Sequence, residues 1–144
     1  MAREQKLEAV YRLFRWLNRV GSTGEDMTLA HIAAIFTPRA PMYLNGDIIC
    51  HDHATHLQHA LDLRAQMAKW RFNIPFERVV VEGDNVVGYY TVDFEDKTGK
   101  KNRMYDFCFF TVEDDRISSI LETVYFSEQP LDIKSFAQDE AAPT

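Results

Sequence analysis

The chain predicts an α+β domain in which three N-terminal helices pack into a curved, mostly antiparallel sheet, a conical barrel. Three observations predict it. Apolar residues recur at helical spacing through the first half, they alternate with period two after Pro75, and turn residues then punctuate the chain at hairpin intervals. Helices followed by a run of strands read as segregated layers rather than as alternating βαβ units. At 144 residues, 46% hydrophobic and 12% aromatic, the chain fills one core. We assign a single domain to residues 1–127 and a partly mobile C-terminal tail to residues 128–144.

Leu7, Val10, Tyr11, Phe14, Leu17 and Asn18 share one helical face, and Gly21-Ser22-Thr23-Gly24 ends that first helix. Thr28 caps a second, shorter helix through about Phe36, with Leu29, Ile32, Ala33 and Phe36 on its buried side. Pro38 and Pro41 forbid its continuation. Pro41 to Cys50 is extended and turns at Asn45-Gly46-Asp47, because Asn and Gly tolerate positive φ; a short hairpin at a pocket mouth fits. Leu57, Ala60, Leu61, Arg64, Met67, Ala68 and Arg71 predict a third helix from about His53 to Arg71, capped by Asp52 or Thr55. Four antiparallel strands follow: Phe76 to Glu82, Val86 to Glu95, a third from Arg103, and a fourth from Ile117. Gly83-Asp84-Asn85, the polar run Lys97 to Asn102 and Glu113-Asp114-Asp115 join them.

Composition excludes several functions. The net charge is −6 and the 16 Lys and Arg are scattered, so no basic stripe exists for nucleic acid. No apolar signal region follows Met1 to Lys6 and no apolar run approaches membrane-spanning length, so we expect a soluble, cytoplasmic protein without a membrane partner. Cys50 and Cys108 are distant and lack CxxC spacing, which indicates neither a disulfide framework nor zinc.

The informative stretch is Arg103 to Phe126. Met104, Asp106, Cys108, Phe110 and Val112 share one face of the first strand, and Ile120, Glu122, Val124 and Phe126 share one face of the second. Acids among core residues are costly to bury unless they are paired or hydrogen-bonded, so this face predicts a polar site inside a core. With Glu113, Asp114 and Asp115 as the turn, Val112 pairs with Arg116 and Asp106 lies opposite Glu122. Two carboxyls at that range do not both ionise easily in a dry site, which raises one pKa and provides an acid and a base near neutrality. The alternative is that the acids are structural partners of an arginine or a tyrosine hydroxyl.

His51, His53, His56 and His59 cluster at the start of the third helix. The last three step by three residues and drift around it, lacking the i, i+4 geometry of a helical zinc pair, so no metal is expected there. His56 is the histidine best placed to reach a pocket mouth. Tyr43, Trp70, Tyr90, Phe94 and Phe110, with Val124, are candidates to line an apolar ligand site, although the default role of such aromatics is core packing. On the opposite face, Tyr89 or Tyr105, Phe107 and Phe109 form exposed aromatic rows, and we expect a homodimer through the outer sheet face.

The element order, together with Val79-Val80-Val81-Glu82-Gly83-Asp84-Asn85-Val86-Val87 and Phe109-Phe110-Thr111-Val112-Glu113-Asp114-Asp115-Arg116-Ile117, resembles the nuclear transport factor 2-like superfamily and its SnoaL-like branch. The resemblance covers roughly residues 5 to 127. It implies a conical, cystatin-like α+β barrel, often dimeric, with a ligand pocket between helices and sheet. Ketosteroid isomerases, polyketide cyclases, dehydratases and non-enzymatic binders share that fold. Tyr105-Asp106-Phe107-Cys108-Phe109-Phe110 is similar to the strand on which ketosteroid isomerases carry a protonated oxyanion-hole aspartate. A one-residue difference in the next turn puts Asp106 there; an ungapped reading puts Phe107 there. The segment Pro41 to Gly46 has no carboxylate before Asp47 where the isomerase base would lie.

The expected activity is therefore a cofactor-independent isomerase, cyclase or dehydratase acting on a small apolar cyclic or carbonyl compound. Asp106 serves the oxyanion, and Glu122 or His56 moves the proton. The alternative is a non-catalytic ligand-binding or dimerisation domain of the same fold.

Overall fold

The computed structural model describes residues 2–127. The expectation of a mobile tail over residues 128–144 lies outside the described residues. Helix α1 (Arg3–Thr23) and helix α2 (Leu29–Ile35) come first, then the hairpin β1 (Met42–Leu44) and β2 (Asp47–Cys50), helix α3 (His53–Gln66) and strands β3 (Met67–Phe72), β4 (Arg78–Glu82), β5 (Asn85–Asp96), β6 (Lys101–Glu113) and β7 (Arg116–Ser127). The strands run β2-β1-β7-β6-β5-β3, with β4 also paired to β5. The named strands all pair antiparallel except β1 with β7, and an isolated parallel bridge joins Phe36 to Ile117. This path has two free ends, so the curved sheet is open and the cone is not a closed barrel.

Local chemistry sets the helix ends. Thr28 Oγ1 accepts from His31 N–H to start α2, and Asp52 Oδ1 accepts from Thr55 N–H to start α3. Gly24, at φ 71°, closes α1 in the left-handed conformation. The third helix is shorter than its periodicity predicts, because Met67–Phe72 is strand β3 and not helix. Trp70 and Phe72 alternate with Lys69 and Arg71, a period of two that the helical spacing of the preceding residues hides. Pairing with Val92–Asp96 of β5 decides the matter. The Asn18 amide completes it from α1, donating to Phe72 O (2.9 Å) and accepting from Phe72 N–H (2.8 Å).

The core lies between α1 and the concave face of the sheet. Phe14 of α1 sits at its centre, with ring centroids 4.9 Å from Tyr90, 5.2 Å from Phe76 and 5.9 Å from Phe110. Such aromatics add edge-to-face attraction to their apolar burial. Phe76 lies flat over β5 because residue 88 is glycine: a Cβ there would be 2.3 Å from Phe76 Cδ2.

Candidate functional site

Between the helices and the sheet lies a cavity of about 170 Å³. Leu13, Phe14 and Leu17 of α1, Phe94 of β5 and Met104 and Phe110 of β6 make most of its wall apolar. Tyr90, Cys108 and Glu122 supply polar atoms on the sheet side, and His56 and His59 do so from α3. No Lys or Arg is among the described residues that line it.

Asp106 is fully buried behind Tyr90 and Glu122, and its Oδ2 accepts a 2.7 Å hydrogen bond from Tyr90 Oη–H. Among the described residues its Oδ1 has no hydrogen-bond donor. The Glu122 carboxyl, itself buried, comes within 4.8 Å of that of Asp106. Two carboxyls this close in a dry site do not both ionise easily, which favours keeping a proton on the pair. Burial pushes Glu122 well above the usual carboxylate range, and neighbouring Asp106 pushes the same way. Burial raises Asp106 too, with Glu122 and the Tyr90 hydroxyl opposing it. Burial first, then the charges of Asp106 and Glu122, keep Cys108 a thiol, and burial likewise pushes Cys50 up to about 12.

The register differs from the sequence expectation. Asp106 pairs with Val124, and Cys108 stands opposite Glu122. The turn takes two residues, Asp114 and Asp115, both at positive φ, and a bulge between Thr111 and Val112 adds one residue on β7. The combined slip of two residues preserves the faces, so both acids still point inward as diagonal neighbours. The consequence is a change of place: Glu122 lines the cavity, while Asp106 stands behind it.

His56 is buried and stacked on Phe36 at 3.9 Å, with Nε2 2.7 Å from Ala40 O. A carbonyl only accepts, so Nε2 carries the proton and Nδ1 is the basic nitrogen. Burial lowers its pKa, with His59 and His53 adding to the effect and the Ala40 bond opposing it. His53 Nε2 is 2.9 Å from Phe36 O, and His51 is exposed beside Asp52. The histidines thus do not converge as ligands. Among the described residues, the set whose donor atoms lie within 4.8 Å of one another is Asp106, Cys108 and Glu122, a combination that fits a borderline divalent cation or protons.

Tyr90, Phe94, Phe110 and Val124 line the cavity; two expected residues do not. Tyr43 points to the half-exposed side of β1, where its neighbours Met42 and Leu44 turn inward to the cavity. Trp70 packs against Gly21 and donates Nε1–H to Leu17 O (2.8 Å). Sequence reasoning missed Trp16, which lines the cavity at helical spacing from Leu13.

No protein-family profile matches this sequence, and no curated protein matches it. Solved structures do match. One, called a SnoaL-like polyketide cyclase of a Jannaschia species, is 19% identical with a TM-score of 0.67, over 98% of this chain and 94% of the other. A nuclear transport factor 2-like protein of Anabaena variabilis is 15% identical with a TM-score of 0.68, over 88% and 92%. The chain has the nuclear transport factor 2-like fold. An M. tuberculosis epoxide hydrolase shares this fold as well, at 15% identity and a TM-score of 0.63, over 85% of this chain and 84% of that one. A nuclear transport factor 2-like cone accommodates different chemistries, so the reaction has to be argued from the cavity itself.

Proposed function

We propose that this cone is a SnoaL-like small-molecule pocket protein, a cofactor-free lyase or isomerase acting by acid–base chemistry on an apolar carbonyl compound. One observation carries the reading: two buried carboxyls set close together, with Glu122 facing a largely apolar cavity. A dry site keeps Glu122 protonated at a pH where an exposed glutamate has ionised, so it is available as a donor to a carbonyl oxygen. Full proton transfer would leave two adjacent carboxylates. Glu122 therefore acts chiefly by hydrogen-bonding the developing oxyanion with its one O–H, while the charge of Asp106, held by Tyr90 behind it, keeps that proton on Glu122. Neutral His56, with a depressed pKa, is the matching base through Nδ1.

Cavity size narrows the substrate. A cavity of ~150 Å³ is known to take a benzene ring, so about 170 Å³ suits one ring and not a fused four-ring skeleton. The convex side of the sheet supports a homodimer, because Phe107, Phe109, Leu121 and Tyr125 expose neighbouring apolar surface there.

Proton NMR in deuterated water with cyclohexanone tests the chemistry. The wild type is expected to bind it saturably and to accelerate exchange of its α-protons. Glu122→Gln, folded by circular dichroism, is expected to bind it and to lose about a hundredfold in exchange rate. Binding without accelerated exchange would favour the non-catalytic alternative, and absence of any binding would remove the pocket reading altogether.

A further inference from the structure

The two tryptophans of the chain differ in one respect that nothing in the acid–base reading uses. Trp70 Nε1–H donates to Leu17 O, whereas Trp16 Nε1 is buried with no hydrogen-bond partner among the described residues. Native proteins pair nearly all such donors, because water hydrogen-bonds them in the unfolded chain. Trp16 is 4% exposed and lines the cavity from α1, across from the sheet that carries Glu122. The His31 ring has its centre 5.7 Å away, and its Nδ1 already accepts from Thr28 N–H. Indole N–H is a donor only, so what completes it must be an acceptor.

We propose that Trp16 is a ligand-anchoring residue, whose indole N–H donates to a second oxygen on a single-ring substrate while Glu122 engages the first. The substrate class is then a small ring compound with two separated acceptors, such as a diketone or a keto ether, rather than a plain ketone. This inference rests on the proposed pocket function and adds specificity to it. A site built to hydrogen-bond a substrate group discriminates strongly against analogues that lack it, since the site's own polar atom is left unpaired.

The test uses two probes of similar size, 1,4-cyclohexanedione and 4-methylcyclohexanone, with wild type and Trp16→Phe. The ratio of their dissociation constants cancels their different hydration when compared between the two proteins. Trp16→Phe is expected to reduce the preference for the dione about tenfold. The indole ¹H–¹⁵N resonance that disappears in Trp16→Phe identifies Trp16, and in the wild type the dione should shift it downfield while the methyl ketone should not. Both probes binding with an unchanged ratio and no dione-specific shift would overturn the anchoring role yet leave the pocket intact. Neither probe binding the wild type would overturn the pocket function and this inference with it. Should Trp16→Phe fold poorly, sequential assignment of the two wild-type indole resonances identifies Trp16, and its response to the dione decides between these outcomes.

Discussion

The concave and convex faces of strands β6 and β7 are made by alternate residues of the same two segments, yet each departs from ordinary burial in the opposite direction. Inside, Asp106 and Glu122 are acids withdrawn from water; outside, Phe107 and Leu121 are 58% and 53% exposed apolar side chains. Ionisable groups resist burial, and large apolar groups gain from it. Neither arrangement is what stability alone would select. The concave departure is the one the proposed chemistry uses, and the convex one is the one the proposed homodimer uses.

Breaking the convex face gives the largest expected effect. A pair of glutamates at Phe107→Glu and Leu121→Glu should leave the fold intact, because both side chains are exposed in the single chain, and should weaken self-association about a thousandfold. Sedimentation equilibrium reads this directly. A wild type that stays monomeric at ~100 µM, a concentration well above the Kd of a stable dimer, would remove the homodimer and with it the meaning given to the exposed rows.

The concave face is probed next, through Asp106→Ala. It leaves the buried Tyr90 hydroxyl without its acceptor and should lower stability by about 1–3 kcal/mol, measured by urea unfolding. The pH dependence sharpens the point. Glu122 has a folded-state pKa raised above its ordinary 4.5, so the folded chain binds more protons than the unfolded chain once pH exceeds that value. Its contribution is fully present below about pH 4.5 and is lost as pH rises through the folded value. Unfolding midpoints of the wild type should therefore fall between weakly acidic and alkaline pH, with Glu122→Gln showing a flatter profile. His56, lowered from 6.5, works the other way, favouring the folded chain as pH rises toward that value, so the comparison is cleanest above pH 7. An identical slope in both proteins would place the retained proton elsewhere.

These faces also show how far sequence reasoning reaches. Period-two alternation located both acids inside and the aromatic rows outside, since side-chain direction in a strand survives any even slip of register. The slip itself was beyond it: a two-residue turn with both aspartates at positive φ and a bulge near Ser118 depend on the twist of the assembled sheet. The helical spacing that runs on to Arg71 gave no warning of β3, because only a strand folded back from Asp93 could claim those residues. Trp16 reads as ordinary core for a similar reason. Its pattern fits the helix, and the lack of a partner for its N–H emerges only after every neighbour is in place.

Asn45 joins the mouth of the cavity to the strand that carries Glu122, and its substitution gives the smallest predicted effect. Its φ of 49° is one that asparagine tolerates better than alanine, and Gly46 at 92° completes the hairpin turn. The side-chain Oδ1 accepts from Val124 N–H at 2.9 Å, and the Asn45 N–H donates to Glu122 O at 2.9 Å. Asn45→Ala removes the first bond and strains the backbone, so it should cost about 1–1.5 kcal/mol by urea unfolding. Asn45→Gly relieves the strain but not the lost bond and should recover part of that difference. If the two variants are equally destabilised, side-chain bonding and not conformation holds β1 against β7. If Asn45→Gly equals the wild type, the Val124 contact contributes nothing, and β1 is held against the strand bearing Glu122 by backbone pairing.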